Sequence, residues 1–188
     1  LWRDDFNRTA GKVANDWAVR GVDGLAPRIS GGMALVEGRM PRRGTIWLYR
    51  GNKELNAKFI SAGTLMRVGD RDRVHARFFA DTYGGDNKIA NAVGIERSAT
   101  GDVSVIHRRP NDDDWTRIPL MDDTGAPVKW PEGWVEARIG RADHKKGIFE
   151  VELNGERVGT VELGVKKRPG TGLYLGFQWE ANGGEMFR

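Results

Sequence analysis

Residues 148–159 read IFEVELNGERVG, an apolar/acidic alternation that stops at Asn154-Gly155 and resumes at once. A period of two is the signature of a strand with one face buried. A two-residue type I′ turn needs positive φ at both central positions, which Asn and Gly tolerate, so the stretch predicts a tight β-hairpin. The same period recurs on either side of it. Strands are predicted at 33–37, 45–50, 73–81, 91–97, 102–108, 115–120, 134–141, 148–153, 157–163 and 173–179. In VHARFFAD, Val74, Ala76, Phe78 and Ala80 share one face, and His75, Arg77, Phe79 and Asp81 the other, as expected of a strand covered on one side only. WVEARIGR repeats the scheme, with Val135, Ala137 and Ile139 opposed to Trp134, Glu136 and Arg138. No long stretch has apolar residues at helical spacing, and 26 glycines punctuate the short apolar runs. The expected fold is all-β, a sandwich or barrel. Residues 50–63 and 121–133 read as loops or at most a single helical turn, and KWPEGW at 129–134 as a turn.

A chain of 188 residues can bury one sizeable core, and nothing in its length demands a second domain. Each strand offers three or four core side chains, each large one worth about 1.5–3 kcal/mol on burial, so two facing sheets can offset the ordering entropy where one cannot. The charge of +4 comes from 30 Lys and Arg interleaved with 26 Asp and Glu. The basic runs, RMPRRG at 39–44 and VKKRPG at 165–170, are short and lie beside turn residues, which points away from nucleic acid. No apolar run is long enough to insert in a membrane. Without cysteine there is no disulfide frame, thiolate zinc site or Cys nucleophile. The chain opens at Leu1 and ends on EMFR within a strand-like pattern, the expectation for a domain taken from a longer chain.

The opening LWRDDFNRTAGKVANDWAVRG and the later RISGGMALVEGR resemble the start of secreted and bacteriophage-encoded domains of the concanavalin A-like lectin/glucanase superfamily, laminin G-like modules included. Asp4, Asp5, Phe6, Asn7, Arg8, Gly11 and Trp17 carry the first part of the resemblance, and Ile29, Gly31, Gly32 and Leu35 the second. GWVEARIGR followed by GIFEVELNGERVGTVEL resembles the hairpin that such domains place after a tryptophan-led strand. These stretches cover about a third of the chain. The resemblance implies a jelly-roll β-sandwich of two antiparallel sheets spanning 1–188 as one domain, with 2–6 lying beside 185–188. It also implies a carbohydrate-binding or adhesion module on an extracellular or virion assembly, most like the minor tail or tail-tip proteins of bacteriophages that infect actinobacteria. The partners so implied are a glycan or cell-surface polysaccharide and other virion or cell-surface subunits. A structural domain that only mediates subunit contacts is a further alternative.

Enzymatic alternatives fit the residues less well. Glucanases of the superfamily share an E-x-D-x-x-E strand carrying nucleophile and acid, whereas EVELNGE supplies Glu150, Glu152 and Glu156 without the aspartate and with a turn before Glu156. Jelly-roll polysaccharide lyases that act on acidic glycans use His, Tyr, Arg and Gln on one sheet face. His107, Arg97, Tyr174 and Gln178 are their loose counterparts, with VIH and YLGFQ standing where a Q-I/V-H triplet and a Y-F-K-A-G pentamer would be. His75 and His144 are too isolated to suggest a zinc triad, and no phosphate-binding loop is present.

Non-covalent sugar recognition suits the residue types better, since sugars stack C–H faces on aromatic rings and offer hydroxyls to planar polar groups. The candidate binding residues are Trp47, Tyr49, Arg77, Tyr83, Tyr174 and Gln178, displayed if Ile46/Leu48 and Leu175/Phe177 face the core. Trp17, Trp115 and Trp134 are assigned to core packing. No cofactor is required. Calcium is a weaker expectation at Asp112, Asp113 and Asp114, and MDDTG at 121–125 is a second acidic cluster; consecutive aspartates in turns mostly cap the turn.

Overall fold

The computed structural model describes residues 11–12, 17–52, 61–69, 73–83, 89–109, 112, 114–143, 146–163 and 173–187; for 11–12, 51–52, 81–83, 89–91 and 173–174 it describes the backbone alone. Among these the regular structure is entirely strand. In chain order the strands are β1 (Gly11–Lys12), β2 (Trp17–Arg20), β3 (Arg28–Ser30), β4 (Met33–Leu35), β5 (Gly38–Arg39), β6 (Gly44–Asn52), β7 (Ser61–Arg67) and β8 (His75–Tyr83). They continue with β9 (Ile89–Arg97), β10 (Val103–Arg108), β11 (Thr116–Pro119), β12 (Trp134–Asp143), β13 (Ile148–Leu153), β14 (Glu156–Glu162), β15 (Leu173–Ala181) and β16 (Met186–Phe187).

Two antiparallel sheets carry the architecture. One has seven strands in the order β11-β10-β9-β8-β15-β6-β2, the other four in the order β14-β13-β12-β7. β1-β3-β4 and β16-β5 form small accessory ribbons. The main core lies between the two large sheets. The seven-stranded sheet contributes Ile46, Ala76, Phe78, Ala80, Val93, Ile95, Val103 and Val105, and the four-stranded sheet Ala62, Met66, Val135, Ala137, Ile139, Phe149, Val151, Leu153 and Val161. These are the alternating positions of their strands, so the period-two pattern is the imprint of the shared interior.

The Asn-Gly hairpin is as expected: β13 pairs with β14, and Asn154 and Gly155 take φ of 52° and 81°. Asn154 adds a tie to the neighbouring strand, its Oδ1 accepting a hydrogen bond from the Glu136 N–H at 2.9 Å. The ten predicted strands are all present with small shifts of their ends. Residues 121–133 hold turns and isolated bridges, with no extended strand.

Three expectations are corrected, and a fourth, on residues 2–6, falls outside the described residues. The loop assigned to 50–63 is too long: β6 runs on to Asn52 and β7 begins at Ser61, pairing with β12 as the edge of the four-stranded sheet. Gly63 dilutes the alternation of SAGTLMR, yet Ala62 and Met66 still reach the core. The carboxyl-terminal β16 pairs with β5; Trp2–Phe6 lie outside the described residues. Trp134 is not a core residue, being 47% exposed on the outward positions of β12, while Trp130 is buried. Finally, β8 is buried on both faces, Arg77 and Phe79 as deeply as Phe78. The outer face of the seven-stranded sheet is therefore covered too, and that cover defines the site.

Candidate functional site

The strand registers lay out this outer face as a grid. One row across the sheet reads Arg117, Ile106, Gly94, Phe79, Gly176, Tyr49 and Ala18. The row beside it reads Pro119, Ser104, Glu96, Arg77, Gln178, Trp47 and Arg20. His75, Glu180 and Thr45 follow in a third. The face thus divides into a β11–β8 half rich in paired charge and a β15–β6–β2 half that carries Gln178, Trp47, Tyr49 and Arg20.

The first half is sealed. The Arg77 side chain is inaccessible and donates from Nε to Glu96 and from Nη2 to Glu180 Oε2 at 2.8 Å. Arg117 donates to the other Glu96 oxygen from Nε at 3.0 Å, and His75 Nδ1 stands 3.4 Å away from it. Burial pushes the Glu96 carboxyl up, but His75, Arg77 and Arg117 together outweigh it and hold its pKa at about 2. Glu96 is consequently an ionised acceptor at neutral pH and holds no proton to donate. Glu180 is bound to the same guanidinium, so the two carboxylates are bridged by a cation instead of flanking an open bond.

Apolar packing completes the cover. Phe79, Ala92, Ile106 and Trp115 form a second buried cluster with Trp47 against it, separate from the interior between the sheets. Phe79 and Trp115 lie 5.1 Å apart, and Trp47 meets Phe79 edge-on at 6.0 Å. Such pairs add about 0.5–1.5 kcal/mol beyond their buried area. The Phe79 ring lies across Gly176, where a Cβ would come within 2.2 Å of Cζ. Trp115 sits on the opposite side of the sheet from the main core and donates from Nε1 to Gln178 Oε1 at 2.7 Å. Because an indole can only donate, Gln178 must turn its oxygen to Trp115, and its NH2 has no partner among the described residues.

The structure brings four of the predicted binding residues onto this face: Trp47, Tyr49, Arg77 and Gln178. Ile46 and Leu48 are fully buried on the other side of β6, which leaves Tyr49 39% exposed and Trp47 half-buried. Arg77 is the exception in role, since its buried guanidinium positions the face from beneath. The side chains of Tyr83 and Tyr174 lie outside the described residues.

The loose lyase set is not assembled. Arg97 pairs with Ala76 and His107 with Val93, so both project to the core side, opposite Gln178. His107 is buried with Nδ1 unpartnered, and burial followed by the Arg109 charge lowers its pKa against the pull of Asp112. Arg97 donates to the Val74 carbonyl. The weak calcium candidates serve their own loop: Asp112 Oδ2 accepts from the Arg109 N–H and Asp114 Oδ1 from the Trp115 N–H, while Asp113 is outside the described residues. Among the described residues no three acidic or histidine side chains converge as a ligand set. Asp122 likewise caps its turn, accepting from the N–H groups of Thr124 and Ala126. Glu150 and Glu152 face outward on the four-stranded sheet, paired with Arg157 and Arg138.

Sequence reasoning missed Glu96, Glu180, Arg117 and Arg20. The available signal was Phe79, an aromatic on the nominally polar face of VHARFFAD, which already implied something covering that face.

No family model matches the chain, and no curated protein sequence does. Solved structures match its fold throughout. An endo-β-1,3-glucanase from Pyrococcus furiosus superposes with a TM-score of 0.62 at 11% identity, covering 100% of this chain and 90% of that one. The CBM2 module of the evolved Dit protein of Lactobacillus casei BL23 phage J-1 gives 0.59 at 12%, covering 97% and 89%. The carbohydrate recognition domain of Emp47p gives 0.57 at 10%, covering 98% and 89%. The fold is the concanavalin A-like jelly-roll β-sandwich. At these identities the likeness establishes the fold alone.

Proposed function

We propose that the chain is a carbohydrate-binding module of an extracellular or virion assembly, with the glycan lying on the β15–β6–β2 half of the outer face. The observation that carries this reading is the exposed ring of Tyr49 beside half-buried Trp47, next to the buried Gln178 whose Oε1 is held by Trp115, with the Phe79 ring lying over Gly176 across from Tyr49. Neighbouring rings on one sheet face suit the C–H face of a sugar, and a planar amide beside them suits its hydroxyl edge. The shared fold with a phage carbohydrate-binding module and a carbohydrate recognition domain supports it.

Hydrolysis is the alternative that the glucanase likeness raises. The electrostatics favour binding: glycoside cleavage needs one protonated carboxyl, and Glu96 and Glu180 are held by arginines. A glycan array followed by affinity electrophoresis on the retained polymer tests the proposal. Retention by the wild type, at least tenfold weaker in Tyr49→Ala with unchanged melting temperature, supports it. Release of reducing ends from that polymer would move the assignment to an enzyme.

A further inference from the structure

We propose that the glycan taken by this face is acidic, its anionic group held by Arg20 beside Trp47. The inference rests on the binding reading above and names its ligand class. Arg20 is exposed at the end of β2, directly across from Trp47 on the outer face, and has no ion-pair or hydrogen-bond partner among the described residues. A second cation, Arg43, is 78% exposed at the head of β6 and reaches Glu180 only at 3.6 Å. The one carboxylate described on this half, Glu180, already accepts from buried Arg77 at 2.8 Å. Glu96, on the sealed half, is ionised, inaccessible and neutralised by two arginines. Asp23, three residues beyond Arg20, accepts from Arg42 Nε at 2.7 Å, and Asp112 and Asp114 belong to the loop before β11 at the opposite edge of the sheet. The half that displays the aromatic ring therefore presents free positive charge with no exposed, uncommitted carboxylate among its described residues to oppose it.

A neutral sugar needs no such arrangement. An uncommitted guanidinium next to an indole offers a bidentate hydrogen bond to a carboxylate or sulfate, while the ring takes the sugar's apolar face. The anionic group can be a uronate carboxylate or a sulfate ester, which share this chemistry.

The test measures retention of the purified chain in gels containing polygalacturonate, dextran sulfate or neutral dextran and laminarin, at low and high salt. The variants are Arg20→Gln, Arg20→Lys and Arg67→Gln, the last an exposed arginine on the outward side of β7. Expected is preference for one acidic polymer over the neutral ones, a loss of about tenfold in Arg20→Gln, partial recovery in Arg20→Lys, and no change in Arg67→Gln. The preferred polymer tells carboxylate from sulfate. Equal weakening by Arg20→Gln and Arg67→Gln would reduce the effect to general basicity and overturn the inference. Neutral glycan bound as well as acidic, and still dependent on Tyr49, would overturn it while leaving the module reading intact. Retention by no polymer, with an empty glycan array, would remove both.

Discussion

Replacing Glu96 by glutamine removes the negative charge that two arginines share beneath the outer face, with His75 beside it. The magnitude follows from the carboxyl itself. Its pKa falls from an ordinary 4.5 to about 2 on folding, a difference of about 2.5. At about 1.4 kcal/mol per pH unit this amounts to about 3 kcal/mol. Breaking a buried ion pair by removing one partner costs about 3–5 kcal/mol, a separate route to the same size. Since the folded pKa lies below the unfolded one, this stability is complete above about pH 5 and drains away as the pH falls towards 2. Urea unfolding followed by tryptophan fluorescence should show Glu96→Gln weaker by about 3 kcal/mol at pH 7, with the gap closing at low pH. For a chain of this length the same loss lowers the melting temperature by about 6–12 °C. A variant within about 0.5 kcal/mol of the wild type at pH 7, or a gap that ignores pH, would refute the view that Glu96 is a structural counter-ion.

Gly176→Ala should force the Phe79 ring off the sheet, because the new methyl would stand 2.2 Å from its Cζ; a cost of about 1–3 kcal/mol in denaturant and an altered near-ultraviolet spectrum are expected. Trp115→Phe keeps a ring on Phe79 but loses the bond to Gln178, so about 1 kcal/mol of stability should go, and changed glycan retention would reveal a freed Gln178 oxygen. Gly155→Val places a β-branched residue at φ of 81° and should cost about 1–3 kcal/mol by thermal melting, with Gly155→Asn far milder.

Much of the fold was legible because period-two burial is written residue by residue: Val135, Ala137 and Ile139 alternate with exposed Trp134, Glu136 and Arg138, and the core follows that rule. β7 was obscured where Gly63 and Thr64 interrupt the contrast between its faces. The site was less legible because its cover comes from residues distant in the chain. Trp115 reaches Gln178, 63 positions away, and Arg77 reaches Glu180, 103 positions away. No local pattern encodes such pairs. Trp47 and Tyr49 were readable from alternation alone, whereas Arg77 looked displayed by the same logic and is sealed by partners on other strands. The lyase echo failed for a related reason: residue types were matched without strand parity, which puts Arg97 and His107 on the core side.

The most direct measurement is the indole N–H spectrum of nitrogen-15-labelled protein, with Trp47, Trp115 and Trp134 assigned by single Trp→Phe variants, recorded during titration with whichever glycan the protein retains. Saturable movement of the Trp47 signal, with Trp134 still, is the expected result. Movement of Trp134 with Trp47 unchanged would place recognition on the four-stranded sheet and contradict a binding site on the β15–β6–β2 half of the outer face.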